Sequence, residues 1–109
     1  MKRQDALQGS LPLLILKILV RRGPLHGYGI TTQIERMSDE VLRVEEGSLY
    51  PALHRMEEEG WIKAKWVRTE NKRRARVYEV TAAGRKQLAA EEGRWRSVTA
   101  AVHQVLELA

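Results

Sequence analysis

Residues 47–62 restrict the fold most, because they contain the signals for a short helix that stops abruptly and turns into a strand. Ser48 is a preferred N-cap residue, and Pro51 is tolerated in a first helical turn, so we predict that the helix begins at Ser48. Gly60 is a good C-terminal stop, which limits the helix to about three turns.

The side chains of this helix separate into two faces. Its apolar residues recur at the three- and four-residue spacing of one helix face. They are Leu49, Ala52, Leu53 and Met56. The residues outside this stripe are Tyr50, His54, Arg55 and Glu58. One face is therefore expected to pack on a core, and the other is free to bind a partner.

Two further helices are predicted before this one. The first begins at a Ser10 cap, ends at about Arg22 before Gly23-Pro24, and has an inner face of Leu11, Leu14, Ile15, Ile18 and Leu19. The second covers about Tyr28 to Met37, with an inner face of Ile30, Ile34 and Met37. For the residues before Ser10 two alternatives stay open, a frayed end or a short helix that packs on a partner subunit.

A basic hairpin follows Gly60. Alternating apolar and polar residues at positions 62–66 predict a strand with one buried face, and residues 76–80 predict its partner. Between them lies a polar tip in which Asn71 is the residue best able to adopt a turn conformation. Two short helices followed by a basic hairpin are the layout of a winged helix-turn-helix that reads DNA.

The last predicted helix is capped by Thr81 and runs almost to the C-terminus. Apolar residues recur along it at heptad spacing, interrupted by Glu91. A helix of about 25 residues is about 37 Å long, which is more than one small domain can cover. The seam therefore predicts a homodimer, with an interface formed by Leu88, Trp95, Val98, Val102 and Val105.

Length, charge and cysteine content agree with this layout. The 109 residues suit one domain with an appended element, and a net charge of +5 favours a polyanionic partner, although a basic protein with no such partner fits the charge equally well. The absence of cysteine excludes disulfides, thiol nucleophiles and thiolate zinc sites, so a cytoplasmic location is expected. The apolar run at residues 11–20 is too short to span a bilayer and contains Lys17, so no membrane association is expected.

Three motifs, at residues 23–30, 47–62 and 76–84, closely resemble the PadR family of bacterial transcriptional regulators. The resemblance implies an α+β fold, mainly α with a small β-hairpin: residues 1–84 form a winged helix DNA-binding domain and residues 85–109 a C-terminal dimerisation helix. It also implies transcriptional regulation, usually repression that is relieved by a small molecule or another signal. The single C-terminal helix is similar to that of the short branch of the family, which includes multidrug-sensing repressors.

The expected partner is a double-stranded DNA operator, and the residues assigned to it lie on the third helix, at the hairpin tip and at the start of the second helix. They are Ser48, Tyr50, Pro51, His54, Arg55, Lys72, Arg73, Arg74, Arg76 and Tyr28. A helix N-terminus suits a phosphate, Tyr50 and Arg55 reach backbone or base edges, and tip cations meet phosphates or the minor groove. In the alternative interpretation Ser48 only caps, Tyr50 packs in the core, and the tip is a solvated loop.

Trp95 is a candidate for a second kind of site. An indole on a dimer seam is able to form the floor of a pocket for a planar aromatic or cationic effector, lined also by Leu88 and Val98. The alternative is that Trp95 only packs the dimer.

No catalytic residue, metal site or cofactor is predicted. The three histidines have no metal-ligand spacing, and His26 is expected to stabilise a turn. The main prediction is a homodimeric repressor, and the alternative is a winged helix that serves as a protein-interaction module without sequence-specific DNA binding. RNA binding is disfavoured because the chain has no Phe and only three Tyr with which to stack bases.

Overall fold

The computed structural model describes the backbone of residues 3–109 and the side chains of residues 10–109. This part of the chain forms helices α1 (Arg3–Arg22), α2 (Gly27–Met37), α3 (Glu46–Glu58) and α4 (Ala82–Leu108), and strands β1 (Leu25–His26), β2 (Ile62–Arg68) and β3 (Arg74–Val80). The strands form one antiparallel sheet in the order β1-β3-β2. The predicted α+β winged helix is confirmed. None of the described helices is both long enough and apolar enough to cross a membrane.

Helix α1 starts earlier than predicted. It begins at Arg3, so the expectation that Ser10 is its N-cap is wrong, and Pro12 lies inside the helix. The residues before Ser10 include Arg, Gln, Ala and Leu, which are good helix formers, so the helix extends through them. Its predicted inner face is confirmed except for half-buried Leu14, and Leu16 is also fully buried. Gly23 ends the helix with φ 82°.

Helix α2 lies where it was predicted, and Ile30 and Ile34 are buried in the core. The assignment of Met37 to the inner face is wrong, because this last residue of the helix is 56% exposed at the edge of the core. His26 stabilises the turn as predicted: its Nδ1 accepts a hydrogen bond of 2.9 Å from the Gly29 amide and caps α2. Strand β1 was not predicted, since two residues are too short to show an alternating pattern.

Helix α3 begins at Glu46 after an N-cap at Glu45, so the prediction of a Ser48 cap is wrong. Ser48 lies in the first turn, where its amide donates to the Glu45 carbonyl at 3.0 Å, and Pro51 consequently lies in the second turn. The predicted stop is confirmed. Gly60 has φ 78°, and the amides of Gly60 and Trp61 close the helix end by donating to the carbonyls of Glu57 and Met56.

The hairpin formed by β2 and β3 is longer than predicted. Ile62 is buried and Ala64 half-buried, but Trp66 on the same face is 56% exposed, because the strands extend beyond the helices that cover their base. At the tip, Lys72 adopts the left-handed conformation with φ 58°, so the assignment of this role to Asn71 is wrong. The amide and hydroxyl of Thr69 both donate to the Arg73 carbonyl and close the turn.

Helix α4 is fixed at its start by a tight junction with the turn between α3 and β2. The Thr81 hydroxyl accepts a hydrogen bond from the Gly84 amide, as predicted for a cap, and donates to the Gly60 carbonyl at 2.6 Å. Gly84 is buried against the carbonyl of Trp61.

Farther along α4, Glu92 forms a 3.0 Å ion pair with Lys17 of α1, and the hydrogen bond from Lys17 lowers the pKa of the Glu92 carboxyl. The C-terminal part of α4, residues 100–108, is exposed.

We predict that Gly84→Ala destabilises the fold although alanine is the better helix former. A Cβ at this position would lie 2.1 Å from the Trp61 carbonyl oxygen, so backbone must move, at a cost of about 1 to 3 kcal/mol. The matched control is Gly93→Ala in the same helix, where a Cβ meets no atom within 4 Å and a gain of about 0.5 to 1 kcal/mol is expected. Urea unfolding of both variants at one protein concentration measures the difference. Equal stabilities for the two variants would contradict the packing described here.

Candidate nucleic-acid interface

The predicted division of α3 into two faces is confirmed. Leu49, Leu53 and Met56 are each 1% exposed and belong to the core. The predicted contact residues of the opposite face are all exposed, namely Tyr50, Pro51, His54 and Arg55. Tyr50 is 46% exposed, which argues against the alternative in which it packs in the core. The structure therefore brings these four side chains to one free surface of the domain.

Tyr50 and Tyr28 both line a groove of about 610 Å³ between α2 and α3. A Cβ on Gly27 would lie 2.8 Å from the Tyr50 hydroxyl, so the absence of a side chain lets this phenol approach the start of α2. Tyr28 itself is 76% exposed. The two tyrosines thus place hydroxyl donors on the outer side of both helices of the helix-turn-helix.

The N-terminus of α3 is a poorer phosphate site than the sequence suggested. Because the helix starts at Glu46, the Ser48 amide is already hydrogen-bonded to the Glu45 carbonyl. The carboxylates of Glu45 and Glu46 flank this end of the helix and line the same groove. Negative side chains thus already complement the positive end of the helix. The phosphate contact at Ser48 stays a prediction, without the support of the expected cap.

The outer face of α3 carries one close histidine–carboxylate contact and one ion pair. His54 Nε2 lies 2.7 Å from Glu58 Oε1, one turn along the helix. Arg76 of β3 pairs with Glu57 Oε1 at 2.8 Å. Its guanidinium also lies over the ring of Tyr78, a phenol whose pKa is raised by burial. Arg76, predicted as a DNA contact, is thus engaged in holding the hairpin against α3, and Glu57 is the partner that the sequence did not identify.

The remaining predicted cations lie at the far end of the hairpin. Lys72, Arg73 and Arg74 are exposed there, and the Arg74 guanidinium lies 4.9 Å above the centroid of the Trp66 ring. Neither Trp66 nor the neighbouring Arg68 was assigned a role from the sequence. The alternating apolar and polar residues at positions 62–66 predict that Trp66 lies on the buried face. This pattern does not show at which residue the strand extends beyond the core.

On α4, Trp95 is 51% exposed, and Val98, Val102 and Val105 are also exposed along one stripe. Glu91, which interrupts the heptads, pairs with Arg94. A shallow apolar groove of about 350 Å³ follows the stripe, and Leu106, which was not predicted, lines it. Leu88 is different: it is only 6% exposed and packs in the core of its own chain, so its assignment to the dimer interface and to a ligand pocket is corrected.

No metal centre is evident among the residues that the structure describes, since no three of their His, Asp or Glu side chains are grouped to hold an ion. The exposed face of α3, the adjoining start of α2 and the basic hairpin define instead the surface of a winged helix DNA-binding protein.

Comparison with known proteins agrees. The sequence model of the family described as "Transcriptional regulator PadR-like family" matches residues 15–90. A transcriptional regulator from Clostridium thermocellum is 29% identical, with a TM-score of 0.83 over 92% of this chain and 96% of that one. A PadR-like transcriptional regulator from Bacillus cereus is 28% identical, with a TM-score of 0.80 over 94% of this chain and 96% of that one.

Bacillus subtilis PadR, whose structure is a complex with operator DNA, is 28% identical with a TM-score of 0.65, covering 73% of this chain and 45% of that one. The present chain belongs to the PadR-like family of transcriptional regulators.

We predict that Arg55→Ala changes the preference among DNA sequences. Arg55 is exposed on α3, and if it hydrogen-bonds a base edge its loss costs about 1 to 3 kcal/mol on the best site and less on random duplex. Fluorescence anisotropy with both duplexes at one salt concentration measures the two losses. Lys63→Ala, which removes a cation already 3.4 Å from Glu79, is the control. Equal losses on both duplexes would assign Arg55 to the phosphate backbone instead.

Proposed function

We propose that the protein is a homodimeric repressor that binds a double-stranded DNA operator and is released by a small molecule or another signal. The observation that carries this proposal is the exposed polar face of α3 beside a basic hairpin. Such a helix inserts into the major groove while the hairpin, the wing of the fold, follows the backbone. Support comes from the operator complex of B. subtilis PadR, a relative of the same fold. Because an operator lies on the chromosome, we place the action of the protein in the cytoplasm.

Within this proposal the contacts have different tasks. Tyr50, His54, Arg55 and Pro51 are exposed on α3. We assign the first three to base edges and Pro51 to the wall of the groove. Tyr28 at the start of α2 donates its hydroxyl to a phosphate. The cations at the wing tip, Lys72, Arg73 and Arg74, supply affinity that depends on salt rather than on sequence.

The dimer is proposed to form through α4. Its 27 residues make a helix of about 40 Å, and the exposed stripe of Trp95, Val98, Val102 and Val105 continues past the part that packs on α1. An apolar stripe of this length is a surface for association. A second copy of the stripe covers it in a two-fold dimer, which presents two recognition helices to one side of a duplex.

An effector is proposed to bind near Trp95. Next to a two-fold axis, this indole meets its own copy, and two flat rings are suited to enclose a planar aromatic or cationic compound. Val98, one turn away, lines the same space. Such a ligand weakens DNA binding if it favours a dimer geometry that separates the wings differently.

Anisotropy with the duplex upstream of the protein's own gene tests the function directly. The expected result is binding that a scrambled duplex of equal length and composition does not match. Equal affinity for both duplexes, or none for either, would favour the other candidate, a winged helix whose basic wing meets an acidic protein surface.

We predict that Val102→Glu abolishes the dimer. A carboxylate on the seam would be buried next to its own copy without a partner, and the cost of that desolvation exceeds the gain from association. Ala100→Glu adds the same charge to the exposed part of α4 outside the seam and serves as the control, which stays dimeric. Sedimentation velocity distinguishes the two. A Val102→Glu protein that sediments as a dimer would show that the seam is wrongly assigned.

A further inference from the structure

The cations of the hairpin fall into two groups that differ in their partners. Near the base, Lys63 and Lys65 both lie close to the carboxylate of Glu79, at 3.4 and 3.7 Å. Arg76, the next cation on β3, is paired with Glu57 at 2.8 Å. The positive charge of this part of the hairpin is therefore largely compensated within the chain.

Beyond Trp66 the positive charge of the hairpin is no longer compensated by carboxylates of the described residues. Arg68 of β2 and Arg74 of β3 occupy directly opposite positions in the antiparallel register, and both are exposed. Among residues 10–109, neither forms an ion pair, and Glu70, the carboxylate nearest in sequence, forms none with them. Like charges at directly opposite positions destabilise a strand pair. The free protein thus places two arginines at directly opposite strand positions, and no carboxylate of the described residues pairs with either of them.

This pair lies on the side of the hairpin that faces α3. Alternate residues of a strand share a face, so Arg74 lies on the same face as Arg76 and Tyr78. Arg76 reaches Glu57 of α3 from that face. The opposed arginines therefore lie on the same face of the hairpin as α3.

Trp66 restrains one of the two arginines. The Arg74 guanidinium lies 4.9 Å from the indole centroid, close enough for a cation–π interaction. A cation–π contact uses none of the N–H donors of the guanidinium, and no carboxylate of the described residues pairs with Arg74, so these donors stay available to an oxyanion. The indole thereby fixes the position of Arg74 and leaves its hydrogen-bonding capacity free.

We propose that Arg68 and Arg74 together bind phosphate groups of the DNA backbone and that Trp66 is the positioning residue for Arg74. The proposal rests on the proposed DNA-binding function and adds a residue, Arg68, that lies outside the wing tip. A phosphodiester between the two guanidinium groups removes their repulsion, so the charge arrangement that is unfavourable in the free protein favours the complex.

Arg68→Ala tests the arginine pair. On operator and on unrelated duplex alike, the slope of log affinity against log salt is expected to fall by about one, the value for one lost phosphate contact. The melting temperature of the free protein is expected to stay unchanged or rise, whereas a merely structural role would lower it. Lys65→Ala, which removes a cation paired with Glu79, is the control and leaves the slope unchanged.

The outcomes separate this proposal from the function on which it rests. A parent protein that binds no duplex overturns both. A parent protein that binds with normal salt dependence, together with an unchanged slope for Arg68→Ala, overturns the arginine pair alone.

A double-mutant cycle tests Trp66. Trp66→Leu is expected to weaken DNA binding as much as Arg74→Ala does, and the double variant no further, because both changes remove the same contact. Trp66→Phe, which keeps an aromatic face, restores most of the binding. The exposed position of Trp66 lets these variants fold, and circular dichroism verifies it. Additive losses in the cycle, or no rescue by phenylalanine, would overturn the positioning role.

Discussion

The junction between the start of α4 and the turn that joins α3 to β2 determines how the functional parts of this protein are arranged. Three elements meet there: the end of α3, the turn that leads into β2 and the first turn of α4. The Thr81 amide donates to the Trp61 carbonyl at 3.0 Å, its hydroxyl donates to the Gly60 carbonyl, and Gly84 packs on the same turn. No side chain separates these backbones. A displacement of α4 at this point must therefore move α3 and the wing with it.

Through this direct contact, the proposed effector is able to influence DNA binding although it binds on α4. A ligand near Trp95 acts on α4 between the junction and the exposed end of the helix. The Lys17–Glu92 ion pair links α4 to α1 at a point between the junction and Trp95. It holds this part of α4 on the winged domain of its own chain. In the proposed dimer, a change in how the two α4 helices cross would rotate each winged domain as a whole. That rotation would change the separation of the two α3 helices in the proposed dimer, and we expect the DNA affinity to change with it.

The sequence predicted every helix and strand except the two-residue β1, but not all of their boundaries, and the boundary errors share a cause. The faces of α3 and the Thr81 cap follow from local spacing and chemistry, which the chain itself contains. Ser48 and Ser10 look like caps, but both lie within helices because the residues before them continue the helical backbone. Trp66 and Leu88 show that a sequence pattern does not give the extent of the core. Their patterns predict an apolar face correctly, while the extent of the core decides that Trp66 is exposed and Leu88 buried. The pairing of Arg76 with Glu57 depends on two elements meeting in space and has no signal in the sequence.

A hydroxyl-radical footprint of the protein on the duplex upstream of its own gene tests the central claim most directly. That claim is that α3 and the wing form a DNA-reading surface which a two-fold dimer presents twice. The predicted result is two related protected segments on one face of the duplex, with centres about one helical turn, roughly 34 Å, apart. Protection of a single segment by a protein that is dimeric in solution, or protection that does not depend on sequence, would contradict it.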